Sequence, residues 1–291
     1  MMGKVVLLFG FMTGLLMLVG FAIGSILGSP LTAVEVSLTM ALLMNIFAYF
    51  YSDKIVLSMS GARIVSESEY PRLHRIVERV ANAANIPKPR VAVIDSNAPN
   101  AFATGRGPKN SVVAVTRGLL SILNEEEVEA VIGHEIAHVK HRDILISTIA
   151  ATLAGAITYL AYLGRWGVLF STSDRRRNEG SIAAALLAAV LAPIAAMLVQ
   201  LAISREREYD ADEEGARITG KPMELANALI KISGAKKVGL TVNVNPSTAH
   251  MWIVNPLRGG SIEELFSTHP SVEKRVERLK KIARDMGIYY L

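Results

Sequence analysis

The sequence predicts an α+β protein, mostly α, in which a four-segment helical membrane region joins a polar domain carrying a small antiparallel sheet. Three observations predict it. Hydrophobic residues make up 51% of the 291 positions and charged residues 20%, with a mean hydropathy of +0.34, more apolar than an ordinary soluble chain of this length. The apolar residues gather in four long runs. Between the runs lie polar stretches with helical and strand periodicities that suit one folded domain.

The first run, VVLLFGFMTGLLMLVGFAIGSIL over 5–27, holds no charge. At about 1.5 Å per residue it is long enough for a hydrocarbon core of about 30 Å. Only GSP separates it from the second run, LTAVEVSLTMALLMNIFAYFY over 31–51, so it reads as a retained anchor and not a cleaved signal peptide. The two form a tight hairpin over 1–51. Glu35 and Asn45 in the second run predict that one of its faces packs on protein. Gly10 and Gly14, then Gly20, Gly24 and Gly28, recur at a spacing that lets helices approach closely. The third run, ILISTIAATLAGAITYLAYL over 144–163, and the fourth, IAAALLAAVLAPIAAMLVQLAI over 182–203, make a second hairpin over 144–203, with a kink at Pro193.

With all four runs spanning, residues 52–143 and 204–291 lie on one side and build one domain. Near the helix ends that side carries nine Lys and Arg residues against four in the opposite loop. The excess places the domain on the cytoplasmic side of a multi-pass cell-membrane protein, although the opposite loop, DRRRNEG, is itself basic. The net charge of +5 is explained by these flanking residues. No compact basic motif with interleaved aromatics is present, so nucleic acid is not an expected partner. Cysteine is absent, which excludes disulfides and thiolate sites and leaves His, Asp and Glu to hold any metal.

Within the polar domain, 68–86 has helical spacing with Pro71 in its first turn. RVAVID (90–95) and SVVAVT (111–116) are β-rich, and NAFATGRGPKN between them offers a further strand with a Gly/Pro turn. NEEEV then provides Asn124 as an N-cap and Glu127 three residues on. A helix is expected from about 125, continuing into the third apolar run.

That helix carries HEIAH. His134 and His138, at i and i+4, share one face about 6 Å apart along the axis and converge on one metal ion, with Glu135 adjacent. Zinc acidifies a bound water to a pKa of about 7, and a neighbouring carboxylate takes the proton as water attacks a peptide carbonyl. A catalytic zinc needs a third protein ligand and one open position. Beyond the fourth run, SREREYDADEEGA places Glu208 and Asp212 at i and i+4. Glu208 completes a His2Glu set on this reading, and Asp212 hydrogen-bonds a ligand imidazole to fix its tautomer. His141 is the competing third ligand, but three residues after His138 it points to a different rim.

HEIAH, SREREYDADEEGA, NPSTAHMWIVNPL and STHPSVEKRVERL, in this order, with two apolar segments before and two between, resemble the HtpX-type membrane zinc metalloproteases over nearly the whole chain. The resemblance implies a gluzincin-like metalloprotease fold and one Zn2+ per chain on His134, His138 and Glu208. It implies Glu135 as general base, and polypeptide substrates, damaged or misassembled membrane proteins among them. It also maps Asn100, Ala101 and Phe102 onto an edge strand where a substrate adds as a further strand, which suits broad specificity. His269 and Arg275, in THPSVEKR, match positions near the site where either would stabilise an oxyanion or hold a substrate carbonyl. The same stretch reads independently as a helix start capped by Thr268 or Ser271. His250 and Trp252 match a family segment without a chemical role. CaaX prenyl-protein proteases share the zinc motif and EYDAD but have more spanning helices, and a membrane scaffold with a structural zinc would not need Glu135.

Overall fold

The computed structural model describes residues 2–155, 204–237, 248, 251–254 and 270–288. Two long apolar helices open it, α1 (Met2–Leu27) and α2 (Pro30–Met59), joined by a turn at Gly28 with φ +79°. They pack through small residues: a Cβ on Gly20 would overlap Ser37, and one on Gly24 would meet Ala33 at 2.5 Å. Gly10 and Gly14 have open space instead, so the small-residue contact is confined to the hairpin end. As Asn45 predicted, one face of α2 meets protein: Asn45 is buried and donates to Thr13 Oγ1 (3.0 Å). The opposite face is apolar and bare, with Val36, Met40, Leu43, Phe47 and Phe50 all more than half exposed. Such a surface suits lipid and not water.

Among the described residues one helix, α2, is long and apolar enough to cross a membrane by length and composition. The third apolar run is described only to Gly155, as helix α6 (Asp143–Gly155), and the fourth lies outside the described residues.

Helix α2 outlasts its apolar run and carries the chain to the sheet. Strands β1 (Ala62–Ile64), β2 (Arg90–Ile94), β3 (Ala101–Gly107) and β4 (Asn110–Thr116) lie in the order β1-β2-β4-β3. The expected antiparallel sheet is instead mixed, because β2 and β4 pair in parallel, Arg90 opposite Val112 through Ile94 opposite Thr116. The physical reason is β3: it is inserted between them in sequence but docks outside β4, making β2 to β4 a crossover. That leaves β3 at the sheet edge.

Helix α3 (Pro71–Ala83) covers the sheet, and α4 (Arg117–Ile122) leads into α5 (Glu125–Lys140). The predicted cap is present in full: Asn124 Oδ1 accepts from the Glu127 N–H (2.8 Å), and the Glu127 carboxylate accepts from the Asn124 N–H (3.0 Å). The expected continuation into the third run is not. The helix stops at Lys140, His141 caps it, and Arg142 takes a left-handed conformation with φ 62° before α6 starts. Helices α7 (Arg205–Thr219), α8 (Pro222–Lys237) and α9 (Val272–Asp285) complete the domain. Ser271 caps α9, its Oγ accepting from the Lys274 N–H. One hydrophobic core joins α3, the sheet, α5, α8 and α9 around Val77, Val113, Ile132, Ile136, Leu229 and Leu279.

Helices α5 and α7 cross at Gly133 and Gly215. A Cβ on Gly215 would stand 2.6 Å from the His134 backbone nitrogen, and one on Gly133 would stand 2.5 Å from Thr219 Cγ2. Gly215→Ala must therefore push the two helices apart. The expected cost is about 1–3 kcal/mol, measured as a lower unfolding temperature, together with weakened metal binding because Glu208 and Asp212 ride on the displaced helix.

Candidate active site

Helix α5 is buried nearly all round, so its polar side chains need partners. Glu129 binds Arg79 through two hydrogen bonds of 2.8 Å, and Glu127 binds Lys231. Three others, His134, Glu135 and His138, line one cleft of about 50 Å³ together with Ala103, Asp143, Arg207, Glu208 and Trp252.

The two imidazoles stand edge to face, centroids 4.8 Å apart at 89°. Both Nε2 atoms point toward Glu208, His138 to Oε1 at 3.5 Å and His134 to Oε2 at 3.9 Å, and the three ligand atoms lie within 4.8 Å of one another. Ligands about 2 Å from a tetrahedral ion are about 3.3 Å apart, so a small inward adjustment seats one cation with a fourth position open. The donor set fits the metal: two nitrogens and one carboxylate, no sulfur. His141 stays out of it, exposed at the end of α5 and lining a separate open cleft with Asp210 and Glu214.

Behind the ligands the Nδ1 atoms face carboxylates. His134 Nδ1 is 2.9 Å from Asp212 Oδ1, and His138 Nδ1 is 3.5 Å from Asp143 Oδ2. Asp212 is in turn gripped by Arg275, whose Nε and Nη2 donate to its two oxygens at 2.8 and 2.6 Å. Nη1 of Arg275 donates to the Ile253 carbonyl at 2.6 Å. Arg275 also approaches His134 Nδ1 at 3.4 Å, but that nitrogen carries the hydrogen shared with Asp212, so this is proximity and not a hydrogen bond. His134, Asp212 and Arg275 are each 1% exposed. Where the sequence placed Arg275 against substrate, its donors are engaged by Asp212 and the chain itself, and it comes no nearer the ligand carboxylate than 4.0 Å.

Burial chiefly sets the acidities. It raises the Glu135 carboxyl to about 8, with the Glu208 charge adding to the effect and His138 opposing it. Burial lowers His134, which keeps its ring neutral as a metal ligand requires. For His138 burial also pulls downward but is outweighed by Asp143, Glu208 and Glu135, which together hold the imidazolium up to about 9. Burial raises Asp212, yet Arg275 and His134 reverse this and hold it below the ordinary carboxylate range.

Strand β3 meets the site through Ala103, which lines the cleft together with Glu135. Asn100 O faces β4, where it accepts from the Thr116 N–H (2.9 Å). Alternation along the strand therefore turns the main-chain groups of Ala101 and Ala103 to the edge that no other strand pairs among the described residues, and those of Asn100 and Phe102 to β4. The edge is closed beyond this point, because Gly105 N–H donates to Thr148 of α6 (3.3 Å). Met251, Trp252 and Ile253 also line the cleft, the Ile253 N–H donating to Asn100 Oδ1 (3.1 Å). The Phe102 side chain is a core residue packed with Val56 and Met251.

Sequence reasoning missed Ala103, the glycine pair at the helix crossing and Asp143. Ala103 was within reach, one residue past the mapped strand positions. Asp143 was not, since five residues beyond His138 on an unbroken helix it would face elsewhere. His269 and His250 lie outside the described residues, and Trp252 lines the cleft.

A family model described as Peptidase family M48 matches residues 67–283. The protein named Protease HtpX homolog from Pyrococcus furiosus is 58% identical over 284 residues, covering 98% of this chain and 96% of its own. The protein of the same name from Aquifex aeolicus is 50% identical, covering 94% and 90%. The crystal structure of S. mikatae Ste24p is similar at 21% identity and a TM-score of 0.46, covering 96% of this chain and 64% of that one, a likeness too slight to inform fold or function.

Two expectations follow from the buried charges. Arg275→Met leaves the Asp212 carboxylate buried without its guanidinium and is expected to cost about 3–5 kcal/mol in an unfolding titration. The second concerns protons. Because His138 and Glu135 of the metal-free protein are raised to about 9 and 8, both hold protons at pH 7 that a bound cation displaces. Metal uptake at pH 7 should release about one to two protons, falling toward none above pH 9. Calorimetry in buffers of different ionisation enthalpy measures it. For the same reason, metal-free stability should decline as pH rises from the ordinary values of these groups, 4.5 and 6.5, and level off above 8 and 9, since a raised folded-state pKa contributes stability only while the proton is held.

Proposed function

The chain belongs to Peptidase family M48 and is a metalloprotease of the HtpX type; on that premise we propose that it is a zinc endopeptidase that cleaves misfolded or damaged membrane proteins at the cytoplasmic membrane surface. The observation that carries this reading is the convergence of His134, His138 and Glu208 within 4.8 Å, beside a buried glutamate that shares its cleft with the edge strand. A structural metal site would not require that glutamate.

Zinc held by His134, His138 and Glu208 would supply a Lewis acid and an acidified water at the fourth position. Glu135 takes the proton from the attacking water and delivers it to the leaving amine. A carboxyl pushed up to about 8 by burial is well placed to hold that proton between the two steps, and beside a bound cation Glu135 would start as the carboxylate. Asp212 orients His134, and Arg275 keeps Asp212 ionised and in place. The substrate lies along Ala101 and Ala103 as an added strand, main chain to main chain, so that few side chains are selected. Asn100 and Phe102 support that strand from within. His269 is proposed as the donor that stabilises the oxyanion.

The apolar runs over 5–27, 31–51, 144–163 and 182–203 are proposed to span the bilayer. The Lys and Arg excess puts 52–143 and 204–291 in the cytoplasm as one protease domain. The bare apolar face of α2 supports the first part of that topology.

Wild type and Glu135→Gln, purified in detergent with chelator until zinc is added, test the reading. One zinc per chain is expected in both, with casein cleavage lower in Glu135→Gln by about 10²- to 10⁴-fold. Full activity in zinc-loaded Glu135→Gln would remove it as the base. Glu208→Ala is expected to lose the metal, and a full zinc content in that variant would return the third-ligand position to His141.

A further inference from the structure

The metal site as read above has a carboxylate behind one histidine, but the structure places one behind the other as well. We propose that Asp143, held by Arg207, is a positioning residue for His138, aiming its Nε2 at the metal as Asp212, held by Arg275, aims that of His134. The inference rests on the metal-site reading and extends it to a residue outside both the HEIAH and SREREYDADEEGA motifs.

The chain geometry explains how Asp143 arrives there. Five residues after His138, it would stand about 140° around the axis of a continuous helix, away from the ring. The helix instead ends at Lys140, and Arg142 adopts φ 62°, a left-handed conformation uncommon for a residue other than glycine. That turn starts α6 in a new direction and brings Asp143 Oδ2 back to 3.5 Å from His138 Nδ1. Asp143 is buried, and its other oxygen accepts from Arg207 Nη1 at 3.0 Å.

The two halves of the site then have the same order of groups, though the His138 half is looser, at 3.5 Å against 2.9 Å for His134 and Asp212. In each ring Nε2 faces Glu208 and Nδ1 faces a buried carboxylate, and each carboxylate has its own arginine. A neutral imidazole ligates through Nε2 only when its hydrogen sits on Nδ1, and a carboxylate acceptor there fixes both tautomer and ring orientation. Arg207 directly precedes Glu208, so the Asp143–Arg207 pair also ties α6 to the helix of the third ligand. That tie is a structural effect, which the test separates from the orienting one.

The test uses the full chain in detergent and compares wild type, Asp143→Asn, Arg207→Gln and the double variant. Zinc affinity is read by chelator competition, and the visible absorption is read with cobalt in place of zinc. Asp143→Asn is expected to lose about 10- to 100-fold in affinity and to shift the cobalt bands. Arg207→Gln should lose less, and the double variant should resemble Asp143→Asn. Unchanged affinity and cobalt bands in folded Asp143→Asn would overturn the proposal. So would equal losses in the two single variants with wild-type cobalt bands, since Asp143 would then act only as the tie. Asp143→Ser carries the same expectations should Asp143→Asn not fold. A wild type that binds neither ion would refute the metalloprotease reading itself, whereas tight wild-type binding that Asp143→Asn leaves intact refutes only this inference.

Discussion

The site depends on the close crossing of α5 and α7. Of the three residues that could hold a metal, two lie on one helix and the third on the other, separated in sequence by about seventy residues that include the second pair of apolar runs. Nothing local sets their distance. Gly133 and Gly215 do, because without side chains the backbones approach until a Cβ on either would collide with the opposite helix. Gly133 immediately precedes His134, and Gly215 lies three residues, under one turn, beyond Asp212. The contact therefore sits at the level where the helices must exchange hydrogen bonds.

Close packing creates an electrostatic problem that the arginines resolve. Glu208, Asp212, Glu135 and Asp143 are four buried carboxyl groups around a cleft of a few water volumes. Left alone they would repel and take up protons. Arg275 compensates Asp212 and Arg207 compensates Asp143, each by direct hydrogen bonds. What remains is Glu208 with Glu135; burial pushes the Glu135 carboxyl up to about 8, and Asp143, Glu208 and Glu135 hold His138 up to about 9. A cation held at Glu208 would bring positive charge to the same groups and so would compete with their protons.

How much of this could be read from the sequence varied with the range of the signal. The capping box at Asn124 and Glu127, the strand runs and the His134/His138 pair were legible because they are local, set by spacing along one element. Glu208 with Asp212 was legible because the same i, i+4 logic applies to a second helix, and the hydropathy of the runs between suggested the return. The parallel pairing of β2 and β4 was not. It depends on β3 docking outside β4, a choice between sheet edges that alternation along a strand does not encode. The break at His141 and Arg142 was also hidden, since neither glycine nor proline marks it. Missing that break meant missing Asp143. Arg275 was found, but as a group facing substrate, because sequence position alone could not reveal its pairing with Asp212.

The same break joins the chemistry to the membrane. Helix α6 leaves it to pack Leu145, Ile146, Ile149 and Leu153 against Val5, Leu8 and Met12 of α1, while Thr148 on the same helix takes the Gly105 N–H. One element thus anchors among the apolar helices, ends the open edge of β3 and, at its first residue, reaches His138. On the other side of β3, Arg106 lies over the Phe50 ring of α2 at 5.5 Å, an aromatic and a cation at the end of an apolar run, as at a bilayer boundary. The edge strand therefore points from the metal ligands toward that boundary. With the proposed topology, a segment drawn out of the bilayer would meet the backbone of Ala101 and Ala103 without leaving the membrane surface, at a strand that lines the same cleft as Glu135.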